Sequence, residues 1–86
     1  MNPTLTFFTD PGHGWLRVPV EFLKTVGLKT TDFSRYSYRY AGMVYLEEDC
    51  DAPRFLTACK AQNVTPSIQE DNTNNDSFVR NLPSIY

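Results

Sequence analysis

Apolar and polar residues alternate through Thr4-Leu5-Thr6-Phe7-Phe8-Thr9. A period of two marks a strand with one buried face, so Leu5 and Phe7 are predicted to point inward. Asp10-Pro11-Gly12-His13-Gly14 follows, a turn by composition. Alternation resumes at Trp15-Leu16-Arg17-Val18, with Leu16 and Val18 inward and Trp15 and Arg17 on the opposite face. Pro19 stands where a helix can begin. Over residues 20–26 the spacing changes to that of a helix, with Phe22, Leu23 and Val26 on one stripe and Gly27 as the stop. Residues 28–35 form a polar connection.

Alternation returns in Tyr36-Ser37-Tyr38-Arg39-Tyr40, which sets the tyrosines on one face and Ser37 and Arg39 on the other. Ala41-Gly42 suits a tight turn with positive φ. On the return strand, residues 43–47, Val44 and Leu46 share one face, Met43 and Tyr45 the other. Asp51 is the predicted N-cap of a helix over residues 52–62, since Pro53 fits a first turn. Phe55, Leu56 and Cys59 form its apolar stripe, and Asn63 can end it. Residues 64–68 read as a last strand, confined to an edge by Pro66. Residues 70–76 read as a polar loop. Residues 77–82 read as one helical turn, capped by Asp76 or Ser77 and ended by Pro83. The order is ββαββαβ: an α+β domain with an antiparallel sheet and two helices on one face.

At 86 residues the whole chain, 1–86, is one small domain. A chain this short has a small core, which a partner or a homodimer would reinforce. The net charge of −2 and the lack of a basic block argue against direct nucleic-acid binding, which draws on a cationic field. No secretion signal and no membrane-length apolar run stand out, so a cytoplasmic location is expected, with Cys50 and Cys59 reduced. Their spacing does not exclude a disulfide, but if both lie near one helix the nine-residue step from 50 to 59 separates them by about 13 Å, too far to bridge.

The candidate chemistry is sparse. His13 lies between two glycines and beside Asp10, a turn that lets backbone approach a ligand closely. No nucleophile motif accompanies it, and no ligand pair has zinc spacing. No catalytic residue, metal or cofactor is assigned. An enzyme built on His13 with Glu47, Glu48 or Asp49 is one alternative; it needs the first two strands to lie beside the central hairpin. A nucleic-acid binder stacking bases on Tyr36, Tyr38 and Tyr40 with Arg39 is another. Trp15, Arg17, Arg39 and Tyr45 are predicted to share an uncovered sheet face, a composition that favours protein contact. Asp51 suffices for the cap, so Glu47, Glu48 and Asp49 are surplus carboxylates suited to a basic surface.

Two strings, Asp10-Pro11-Gly12-His13-Gly14-Trp15-Leu16-Arg17-Val18-Pro19 and Val44-Tyr45-Leu46-Glu47-Glu48-Asp49-Cys50-Asp51, resemble a family of small accessory proteins encoded by bacteriophages, prophages and plasmids. The resemblance extends to the Asn/Asp-rich segment before Ser77-Phe78-Val79-Arg80 and carries no catalytic residues. It implies a mobile-element protein in the cytoplasm of a bacterial host. By analogy of setting, it implies inhibition of a host defence complex, such as a CRISPR effector, through contact with a basic protein or ribonucleoprotein surface.

Overall fold

A computed structural model of the chain describes residues 2–86. The strands are β1 (Thr4–Thr9), β2 (Gly14–Pro19), β3 (Tyr38–Tyr40), β4 (Met43–Glu47) and β5 (Ser67–Asn72); the helices are α1 (Val20–Thr25) and α2 (Asp51–Ala61). The fold is α+β, in the expected element order. The sheet runs β3-β4-β2-β1-β5, and it is mixed rather than antiparallel, because β5 pairs parallel with β1. The helical crossover through α2 carries the chain back to the starting end of the sheet, so β5 enters beside β1 in the same direction.

Both helices end in Schellman turns. The Leu28 amide donates to the Leu23 carbonyl and the Val64 amide to the Cys59 carbonyl, each at 2.8 Å. The residues at the left-handed position are Gly27 (φ 79°) and Asn63 (φ 58°), as their composition predicts. Ala41 (φ 51°) and Gly42 (φ 78°) make the hairpin turn.

The helix side of the sheet carries Leu5, Leu16, Val18, Val44 and Leu46, packed against Leu23, Val26, Phe55 and Cys59. The opposite side is not open. Phe8, Trp15 and Tyr45 are buried there beneath Val79, with Tyr38, Met43 and Leu82 around them. Phe78 sets its ring edge-on to Phe8, with centroids 5.0 Å apart. The C-terminal segment therefore forms a second layer over the face expected to be uncovered. Val79 sits in a 3-10 turn, Phe78–Asn81, whose start is capped by Ser77. The segment then wraps the β3 edge: the Arg39 amide donates to the Pro83 carbonyl at 2.9 Å and the Ile85 amide to the Ser37 carbonyl at 3.0 Å. Ile85 ends in the helix-side core.

The last strand starts after Pro66 and extends to Asn72, through residues expected to form a loop. It lies on neither core, so no apolar alternation announces it. Its ladder with β1 and the side-chain hydrogen bonds Gln69 to Thr6 (3.1 Å) and Asn72 to Thr9 (2.8 Å) hold it instead. Among the described residues, no helix is long and apolar enough to cross a membrane.

Candidate functional site

The acidic run divides into two buried carboxylates and two at the surface. Glu47 ends β4 and is 8% exposed. Its carboxylate accepts the amides of Asp49 (2.7 Å), Cys50 (2.9 Å) and Asp51 (3.4 Å). These are free amides at the entrance to α2, so Glu47 supplies the cap. Asp51 is not the N-cap. It is the first residue of α2, buried, and it reaches away to the preceding loop. There it accepts the Ser34 amide at 3.0 Å, the Ser34 hydroxyl at 2.7 Å and the Ser37 hydroxyl. The Ser37 hydroxyl in turn accepts the Glu47 amide at 3.0 Å. Ser34 and Ser37 thus tie the loop before β3 to the start of α2.

Glu48 and Asp49 project from the turn between β4 and α2. Because β2 pairs with β4, Trp15 lies opposite Glu47, and the Glu48 amide donates to the Gly14 carbonyl at 3.1 Å. This register brings the His13 turn against the acidic run. His13 Nδ1 lies 3.3 Å from Glu48 Oε1, with His13 half exposed. One donor atom from each of His13, Glu48 and Asp49 falls within 4.8 Å of the others, a separation at which the three could share a cation. All three sit at the rim, and the imidazole already engages Glu48.

Asp10 holds the other side of this turn. Its side chain is fully buried and accepts the amides of Gly12, His13 and Ser77, each at 2.9 Å. Arg80 grips it with Nε at 2.6 Å and Nη2 at 2.8 Å. These donors, Arg80 foremost, hold the Asp10 carboxyl well below the usual carboxylate range, and Asp10 pushes the Arg80 guanidinium up. The Arg80 guanidinium also lies over Trp15, 5.2 Å from the ring centroid.

Several of these groups, His13, Trp15, Asp49 and Arg80, wall an open cleft of about 480 Å³ together with Tyr36 and Tyr38 among others. Of the residues expected on one open face, Trp15 and Tyr45 are buried (3% and 5% exposed). Trp15 shows only at the cleft wall. Arg17 is on their face, stacked over Phe8 at 5.0 Å. Arg39 is on the other face, because it pairs with Val44. The tyrosines do not form a continuous strip: Tyr36 precedes β3, and Tyr38 packs edge-on to Trp15 at 6.2 Å. Arg35, Cys50 and Arg80 line the cleft without having been singled out in the sequence; Tyr36, a candidate for stacking, lines it too. Arg80 stands 70 residues from Asp10, a separation with no local signal. Cys50 is exposed, whereas burial in the core pushes the Cys59 thiol up.

No family model, curated protein or solved structure matches the chain.

Proposed function

We propose that the protein is a non-enzymatic binding protein, carried by a mobile element, that inhibits a host defence complex by protein–protein contact at the rim of this cleft. The observation that carries the reading is the division of the acidic run. Glu47 and Asp51 are consumed by the fold. Among the described residues the Asp49 carboxylate has no hydrogen bond or ion pair, and the Glu48 carboxylate meets only His13. Surface carboxylates that do nothing for the fold suit attraction to a basic surface, where charge speeds encounter and sets orientation. The exposed Tyr36 ring (64%) beside them adds contact area of a kind that dominates interfaces. The mobile-element setting and the defence target rest on the resemblance of the two strings, and a CRISPR effector is the target we favour.

The test is phage plating on a bacterial strain with active CRISPR immunity that expresses the protein. Restored plaquing supports the reading; undiminished immunity with folded protein present in the cell overturns it. An enzyme acting on the same target would need His13, so His13→Ala is the discriminating variant: full inhibition by it favours binding over catalysis.

A further inference from the structure

We propose that His13, Glu48 and Asp49 bind a divalent transition-metal ion, Zn²⁺ above all, at the rim of the cleft. The site stands on the geometry of two turns and goes beyond the reading of the chain as an inhibitor.

The pairing of β2 with β4 sets these two turns side by side. Backbone hydrogen bonds then fix each of the three residues. The His13 amide donates to the buried Asp10 carboxylate at 2.9 Å, and the Asp49 amide to the Glu47 carboxylate at 2.7 Å. Between them the Glu48 amide donates to the Gly14 carbonyl at 3.1 Å. Asp10 and Glu47 thus serve the fold, and the side chains of their neighbours are left over. His13 and Glu48 lie far apart in the sequence, so no ligand spacing announces the set.

The three side chains are otherwise idle. Among the described residues the Asp49 carboxylate has no partner, and Glu48 and His13 meet only each other. Their contact, Nδ1 to Oε1 at 3.3 Å, is longer than a usual N–H···O hydrogen bond of about 2.7–3.2 Å. It matches the separation of two ligands on one ion. With bonds of about 2.1 Å at a tetrahedral angle, nitrogen and oxygen ligands stand about 3.4 Å apart. One ligand atom of Asp49 lies within 4.8 Å of the other two, and its exposed, unpaired side chain is free to turn toward them.

The donor set selects the ion. Mg²⁺ and Ca²⁺ take oxygen ligands, whereas an imidazole nitrogen with carboxylates suits Zn²⁺. Three protein ligands leave a fourth position for water. The cations in the cleft wall are committed elsewhere: Arg80 is held by Asp10, and Arg35 lies over the Tyr36 ring at 5.9 Å. A bound ion cancels the two carboxylate charges, so zinc and a basic partner compete for this rim.

The experiment is two-dimensional NMR of the full chain, free of any affinity tag, titrated with ZnCl₂ in a non-chelating buffer. One equivalent should shift the His13 ring signals and the amides of Gly14 and Glu48 to saturation. Mg²⁺ over the same range should not. His13→Gln, Glu48→Gln and Asp49→Asn should each weaken zinc binding at least about tenfold, the loss that even an outer-shell change causes. Without zinc their melting curves should overlay the parent's, because the side chains lie at the surface. Glu21→Gln, which alters an exposed carboxylate on α1, should bind as the parent does. So should Cys50→Ser, although this exposed thiol lines the same cleft. No saturation by millimolar Zn²⁺, equal shifts with Mg²⁺, or binding that survives His13→Gln would each overturn the site. Loss with Cys50→Ser in place of His13→Gln would do the same. The titration contains no partner. Its failure therefore leaves the inhibitor reading standing, and failed plating leaves the zinc site standing.

Discussion

Arg80 clasps the Asp10 carboxylate through two hydrogen bonds, 2.6 and 2.8 Å long, and so pins the C-terminal segment to the first turn of the chain. This contact decides that the second face of the sheet is a core and not an open surface. Asp10→Asn should therefore lower the melting temperature at neutral pH. The pH dependence has a definite sign. Asp10 titrates lower in the folded protein than in the unfolded chain. Its contribution is complete above the unfolded value, about 3.9, and is lost as pH falls from there through the folded value. Melting curves of parent and Asp10→Asn should converge on acidification and separate again above about pH 5. A constant gap across the acidic range would refute this role.

Val79 is the keystone of that second layer, with no measurable exposure. Val79→Ala removes two buried methyl groups and should destabilise the protein by about 2 kcal/mol, from lost transfer energy and a residual cavity. Urea unfolding gives the magnitude. Trp15, the only tryptophan, should emit at longer wavelength in the variant as water reaches it.

Glu47 and Asp51 are predicted to fail in different ways. Glu47→Ala loses the cap of α2, at about 0.5–2 kcal/mol. Asp51→Ala strands the buried hydroxyl of Ser37, at about 1–3 kcal/mol, and the part-buried donors of Ser34. Chemical denaturation should rank Asp51→Ala as the more damaging. The reverse order would mean that the cap outweighs the serine network.

Glu48→Lys combined with Asp49→Lys is the charge reversal the structure selects. Glu47 is unsuitable because it is buried and bonded to backbone. The double variant should stay within about 0.5 kcal/mol of the parent in stability and lose inhibition of host immunity in the plating assay. Inhibition at parental strength would show that these carboxylates take no part in recognition.

Gly14 is set by space. A Cβ there would meet the Phe7 ring at 2.5 Å and Thr9 Cγ2 at 3.2 Å. Gly14→Ala should cost about 1–3 kcal/mol through overpacking, read as a fall in the urea midpoint with an unchanged slope.

Periodicity alone located four of the five strands, both helices and their ends, because alternation, turn residues and helix stops act over a few neighbours. Leu16, Val18, Val44 and Leu46 could be assigned inward for that reason. The face opposite them could not be read: its cover comes from Val79 and Leu82, and the attachment of that cover is Arg80 meeting Asp10 across the length of the chain. The same limit explains β5. Its polar residues carry no period of two that distinguishes strand from loop, and only pairing with β1 makes it a strand. The acidic run was visible as charge, but its division was not. Glu47 and Asp51 turn inward because β4 ends where α2 begins and because the loop at Ser34 folds over that junction. Local patterns determined the elements; contacts distant in sequence decided which carboxylates were spent on the fold and which face the solvent.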